Sequence, residues 1–374
     1  MVLGAVATVA LFVQPFATYR PNRIASGRGL GLLASLPPAV GLTALAIFCA
    51  AILTVVWRSA ARWRVGAIVA ALLTLAVTIG LVPDAVIPAG NAFARVAPAS
   101  GFWLLALAFA LLGADTLAKA ALGPLARLVA LALAIAVVAV ILGSGWWSGL
   151  SLLKEYASHA DTFWREATKH VELAFGSLAA AVVIGIPLGI ACARSVKLRS
   201  VTLPVLNIVQ TIPSIAMYGL MMVPLGLLAA HVQLLSDLGI RGIGTAPAVI
   251  ALFLYSLLPV VANTAIGLDQ VPPQASDAAR GMGMSDRQRL LQVEIPLAAP
   301  IVLTGIRIVL VQNIGLVTIA ALIGGGGLGS FVFQGIGQAA TDLVLLGAIP
   351  IIGFAFVAAI LLDAVIDLTR TVPA

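Results

Sequence analysis

Few residues in this chain could do covalent chemistry, and their spacing argues against catalysis. His159, His170 and His231 lie far apart, none in an H-E-x-x-H pattern, and Cys49 and Cys192 each sit inside an apolar run. Ligands so scattered predict neither a metal site nor a disulfide. The glycine-rich run IGGGGLGSFVFQGIG, residues 323–337, suggests a phosphate cradle, but no lysine stands in G-x-x-x-x-G-K-[ST]. The phosphate-cradle reading therefore fails, and the chain is read as non-catalytic, holding no cofactor of its own.

The one stretch where charge, glycine and helix punctuation coincide is residues 272–296, PPQASDAARGMGMSDRQRLLQVEIP. Pro272 and Pro273 can open a helix, because the missing N–H is an orphan in the first turn anyway. The helix runs through Ala275, Asp277, Ala278, Ala279 and Arg280, and Gly281 and Gly283 break it. Ser285, Asp286, Arg287 and Gln288 have the S-x-x-Q spacing of a capping box, so a second short helix is expected there, ending before Pro296. Two short helices joined by a glycine bend, with Met282 and Met284 at the bend, form a compact knob that suits docking into a partner's groove.

The elements that must position this knob are set by composition. Apolar residues make up 61% of the chain and charged ones 9%, with a mean hydropathy of +1.13; soluble domains are roughly half apolar and a quarter charged. The chain is therefore expected to be an all-α polytopic membrane protein of about ten transmembrane helices. The apolar stretches are residues 2–18, 38–57, 65–82, 101–118, 125–144, 171–193, 203–228, 246–268, 301–323 and 343–367. The first is short for a span, and a signal peptide is its rival reading, opposed by the lack of a basic segment before it. Residues 83–100 read as a loop.

The net charge of +7 comes without a basic patch or interleaved aromatics, so no nucleic acid is expected. It reads as topology instead. Placing the loops with Arg58, Arg62 and Arg64, with Lys119 and Arg127, with Arg194, Lys197 and Arg199, and with Arg280, Arg287 and Arg289 on the cytoplasmic side, together with the tail, collects 12 of the 21 Lys and Arg there. By the positive-inside rule both termini and the knob are then cytoplasmic.

Three domains follow. Residues 1–144 form an accessory set of about five spans. Residues 145–170, with paired tryptophans and mixed charge, form an extracytoplasmic connection, either a surface-lying amphipathic helix or a plain loop. Residues 171–374 form the core, with the knob in a loop at 269–300. Uncharged polar residues interrupt the core spans at Asn207, Gln210, Thr211 and Ser214 around Pro213, at Tyr255, Ser256 and Asn263 around Pro259, and at Gln312 and Asn313. Each group either lines a path for a small solute or serves polar helix packing. The glycine-rich run reads as an extracytoplasmic hinge with close helix packing, its rival being a filter of glycine carbonyls.

The spacing Asp277-Ala278-Ala279, three residues, Gly283, nine residues, Val293-Glu294-Ile295-Pro296 resembles the cytoplasmic Glu-Ala-Ala loop of permease subunits of ATP-binding-cassette importers. Aspartate replaces glutamate, and Val293 and Ile295 replace isoleucine and leucine. The runs ELAFGSLAAAVVIGIPLGI, NIVQTIPSIAMYGL, PAVIALFLYSLLPVVANTAIGL and IGLVTIAALIGGGGLGSFVFQGI are similar to the osmoprotectant branch of that family, which transports glycine betaine, choline, carnitine or proline. The resemblance covers roughly residues 171–350 and implies a five-helix type I importer permease core in a bacterial inner membrane. It further implies a permease dimer, ATPase subunits that bind ATP and Mg and receive the loop, and a separate extracytoplasmic substrate-binding protein. The loop residues implied in coupling are 277–286 and Pro296. Residues 1–144 fall outside this core, although some glycine betaine permeases carry a similar extra set of helices.

The rival class is a secondary transporter or channel working alone. Ion-coupled carriers usually keep ionisable groups within their spans. Here Asp115, Arg307 and Asp363 all lie near expected cytoplasmic ends, and Arg307 is expected to pair with Asp363. The aromatic residues form no evident cage for a quaternary ammonium group, so selectivity is expected to rest with the binding protein.

Overall fold

Hydropathy fixes the element type almost everywhere, because a backbone in hydrocarbon must satisfy its own hydrogen bonds. The structure, a computed structural model, describes residues 2–369 apart from 24, 58, 121 and 238. Arg58 and both chain ends, on which part of the topology reading rests, lie outside those residues. Among the described residues nine helices are long and apolar enough to cross a membrane, and each contains or overlaps one of the expected spans after the first.

The chain divides into two compact units, Met1–Ala126 with Ala132–Ser158, and Arg127–Leu131 with His159–Ala374. In the first unit α1 (Val2–Phe12), α2 (Pro38–Val56), α3 (Ala61–Val86) and α4 (Ser100–Lys119) pack around Phe48, Ile79, Leu105 and Phe109. The rings of Phe48 and Phe109 stack 6.2 Å apart. Residues 2–18 were expected to span, but α1 has 11 residues, which at about 1.5 Å per residue falls well short of the roughly 30 Å hydrocarbon layer. The chain after it turns into a strand.

That strand, β1 (Ala17–Arg20), lies between β2 (Arg28–Leu30) and β3 (Arg95–Pro98) in a small antiparallel sheet. Residues 83–100 are thus only partly loop: α3 continues through Pro83 to Val86, and β3 follows. The tryptophans at the start of the expected connection close over α3, Trp147 Nε1 donating to Ala76 O at 2.8 Å and Trp146 Nε1 to Val77 O at 3.1 Å. Helix α5 (Pro124–Gly143) exposes Leu125, Val129, Leu133 and Val140. A helix apolar on all sides suits lipid.

Helix α6 (Ser151–Arg194) is kinked at His159, and the second unit takes it from there onward, through the rest of the expected connection and the first core span. There follow α7 (Val196–Thr211), α8 (Ser214–His231), α9 (Gln233–Asp237), α10 (Thr245–Asp269), α11 (Pro273–Gly281), α12 (Asp286–Arg289), α13 (Ile295–Ala320), α14 (Gly329–Gly337) and α15 (Thr341–Thr369). Helices α10, α13 and α15 form its centre. Gly305 lets α13 approach α10 closely, since a Cβ there would sit 2.7 Å from Asn263 Cβ and 2.9 Å from Pro259 O. Arg307 and Asp363 pair between α13 and α15 as expected, and Asp115 pairs with Lys119 one turn on, at 2.7 Å.

After α13 the chain makes a short turn of 3-10 helix and the glycine-rich turn, then α14, which packs on α15. Glu166 of α6 holds this turn, accepting from Gly327 N at 2.7 Å and Ser330 Oγ at 3.4 Å.

Candidate functional site

The knob forms from local signals. Pro273 occupies the first turn of α11, with Pro272 as the N-cap. The helix ends in a paired motif, Gly283 N donating to Arg280 O at 3.0 Å and Met284 N to Ala279 O at 3.1 Å. This closure needs a left-handed residue, and Gly283 supplies φ +81°. Helix α12 then opens with the expected capping box, Gln288 N donating to Ser285 Oγ and Ser285 N to Gln288 Oε1.

The expected stop before Pro296 does not occur. The chain keeps helical angles through a π turn, Leu290–Glu294, directly into α13. The wider turn shifts the hydrogen-bond register so that Pro296, in the first turn of α13, needs no N–H partner.

Asp277, Ala278, Arg280, Gly281, Gly283, Ser285 and Asp286 are exposed, Met284 is half-buried, and Met282 stands 72% exposed at the apex. Ala279 is buried beneath them. Asp277 lies 4.0 Å from Arg280, a loose surface pair that contributes little.

What anchors the knob is a residue to which the sequence analysis gives no role, Glu294. Its carboxylate is buried and accepts from Arg289 Nε at 3.0 Å, from Ser276 Oγ at 3.1 Å and from Arg194 at the end of α6. Arg289 also reaches Asp286 at 3.0 Å. A buried carboxylate is tolerable only when its charge and lone pairs are met; here α6, α11 and α12 meet them together. The available signal is an acid at the mouth of a span with basic residues on both flanks of the core. A second ion pair, Arg199 to Asp269 at 2.5 Å, ties the start of α7 to the end of α10.

Above this end, the polar interruptions fall into two groups. The break between α7 and α8 lies opposite the middle of α10. Pro259 has no N–H to offer Tyr255 O, and Gln210 Nε2 fills the place at 2.8 Å. In return the Tyr255 hydroxyl donates to Ile212 O at 2.5 Å, a carbonyl freed where Pro213 interrupts the helix. Two proline breaks thus satisfy each other across helices. Thr211 Oγ1 turns back to Ile208 O, at 2.7 Å. Asn207 and Thr211 are exposed, Gln210 and Ser214 half-buried, and Tyr255 buried.

The second group is different. Asn313 is fully buried and gives its two amide hydrogens to Ser177 Oγ and Ser256 Oγ, both at 3.0 Å, stapling α13 to α6 and α10. Its place is that of polar helix packing. Asn263 is half-buried and donates to Pro259 O at 2.8 Å within its own helix, and Gln312 is half-buried beside Asn313. Ser256 is among the polar interruptions the sequence offers, but Ser177 is not singled out; serines recur in membrane helices without periodic signal. Among the described residues no group of His, Cys, Asp and Glu could hold a metal ion.

Residues 185–370 match the family model described as the binding-protein-dependent transport system inner membrane component. Residues 1–153 match that of the N-terminal domain of the ABC transporter permease YehY. The chain is 44% identical over 183 residues to the osmoprotectant import permease protein OsmW of Salmonella typhimurium, covering 49% of this chain and 80% of that one. It is 34% identical over 202 residues to the glycine betaine/carnitine/choline transport system permease protein OpuCB of Bacillus subtilis, covering 54% and 84%. A solved inward-facing structure of the MetNI methionine ABC transporter aligns over 55% of this chain and 95% of that one at 21% identity and a TM-score of 0.48, a likeness too slight to match residues.

Proposed function

The chain belongs to the binding-protein-dependent transport system inner membrane components, the permeases of ATP-binding-cassette importers, and from that premise we propose that it carries a small osmoprotectant such as glycine betaine or choline. The observation that carries the coupling role is the knob itself, an exposed bend presenting Met282 over a buried anchor on Glu294. A loop both exposed and internally braced can transmit force instead of absorbing it. It enters a cleft of a separate ATPase subunit, which binds ATP and Mg, and the knob faces the cytoplasm of a bacterial inner membrane; with α1 too short to span, nine crossings put the two termini on opposite sides, not both inside as the ten-span count implies.

Two permeases, two ATPases and an extracytoplasmic binding protein complete the system. Asn207, Gln210, Thr211, Ser214, Tyr255, Asn263, Gln312 and Asn313 belong to the helices that form the path, the exposed and half-buried ones facing it and Asn313 holding those helices together. Residues 1–144 are peripheral to the path and serve stability, lipid contact or regulation. The substrate class rests on the similarity to osmoprotectant and glycine betaine/carnitine/choline permeases. The test is uptake by proteoliposomes containing all subunits, comparing glycine betaine and choline with amino acids. ATP-dependent uptake of the first two is expected; uptake driven by an ion gradient without ATP would refute the reading.

A further inference from the structure

The sheet of the first unit carries an electrostatic anomaly. Arg20 of β1 and Arg95 of β3 are direct cross-strand partners, so their side chains leave the same face of the sheet, where like charges repel. Neither makes an ion pair with any described residue. The Nε of Arg95 is buried and has no hydrogen-bond partner. Lys154, in the part of α6 that precedes the membrane span, adds a third cation: its Nζ donates to Ala94 O at 3.1 Å, next to Arg95. Burial first, and then the charge of Arg95, lower the Lys154 pKa. The acids of this cap are Asp84, which lines the same surface pocket as Lys154 without an ion pair to it, and Glu155, which is engaged by Arg23 at 3.2 Å.

A fold has no reason to hold such a cluster for its own stability. Arg289, buried in the knob, is answered by Glu294. Arg20 and Arg95 have no such carboxylate partner among the described residues. The Arg20 side chain passes close over Gly27, where a Cβ would sit 3.2 Å from its Nε, so the β1–β2 loop leaves it room.

We propose that Arg20, Arg95 and Lys154 form a binding site for a phosphate oxyanion. A guanidinium fork matches the geometry of phosphate oxygens, and an ammonium adds a point charge. The sheet joins the ends of membrane helices, so the phosphate comes either from a phospholipid headgroup or from free phosphate in solution. The site does not depend on the transport reading.

The test uses the purified full-length chain in detergent, titrated with inorganic phosphate against chloride at constant ionic strength, and separately with vesicles of phosphatidylglycerol or phosphatidylcholine. Wild type should gain thermal stability. In the R20Q/R95Q double variant that gain should vanish, while its melting temperature without ligand equals or exceeds that of wild type, because the repulsion is gone. Apparent affinity should fall at least about tenfold per arginine removed, the scale of one charge-assisted hydrogen bond. A response to vesicles alone identifies a headgroup as the source, and a response to phosphate a soluble oxyanion. If the double variant does not fold, K154Q should still lower the gain. No stabilisation of wild type by any of these, a full response in the variants, or stabilisation only by an acidic protein would overturn the proposal.

Discussion

Replacing Glu294 by alanine should loosen the knob without disturbing the membrane helices. The carboxylate and Arg289 are each 7% exposed, and breaking one side of a fully buried pair costs about 3–5 kcal/mol. Part of this is relieved. Arg194 is 47% exposed and can be hydrated, and Arg289 keeps Asp286 at 3.0 Å. The net loss is then about 2–3 kcal/mol, counting one buried charge-assisted bond and the Ser276 hydroxyl. If that energy holds α11 and α12 in place, the opening equilibrium of the loop shifts by about 30- to 150-fold. Hydrogen exchange reads this directly: the amides of Met282, Gly283 and Met284, which close α11, should exchange faster by that factor, with α13 and α15 unchanged. Uptake per ATP hydrolysed should fall in parallel. Unchanged loop exchange, or an equal rise in α13 and α15, would refute the idea that Glu294 acts as a local brace.

Gly283→Asp places a side chain at φ +81°, which costs about 1–2 kcal/mol, and should cut ATP-driven uptake and co-purification with the ATPase while membrane insertion stays normal; normal uptake would count against the coupling role. Tyr255→Phe removes the donor to Ile212 O and should lower the unfolding free energy by about 1 kcal/mol, seen as a lower melting temperature, with Tyr218→Phe as a separate control on the bond to Leu316 O. Single cysteines at 210, 214, 263 and 312 should react with a small water-soluble thiol reagent to an extent that changes with ATP or substrate. A cysteine at 133, on the exposed apolar helix α5, should stay unlabelled; the reverse pattern would place the path elsewhere.

Much of the candidate site is legible in the sequence because its signals are local. Pro273, the Ser285–Gln288 box and Gly283 act on backbone groups within a few residues, so their spacing predicts their geometry. The stop expected before Pro296 fails because a π turn leaves no mark in spacing. The sheet escapes notice for a related reason: β1, β2 and β3 have four, three and four residues, too short to show an alternation, and β3 joins them from across two helices.

Sequence alone determined that this is a membrane protein, where nine of its long helices run, and that one loop folds as a capped bend between two short helices. These follow from hydropathy and capping, which each residue carries with it. Only the tertiary structure decided which polar groups meet: Gln210 with Tyr255 across 45 residues, Arg194 with Glu294 across 100, Asn313 with Ser177 across 136. The physical reason lies in the solvent. In water a helix shows its buried side by an apolar stripe, but in lipid the outer face is apolar as well. Periodicity then cannot separate a helix surface facing hydrocarbon from one facing another helix, and the partner of Glu294 or Asn313 is settled only by how the helices pack.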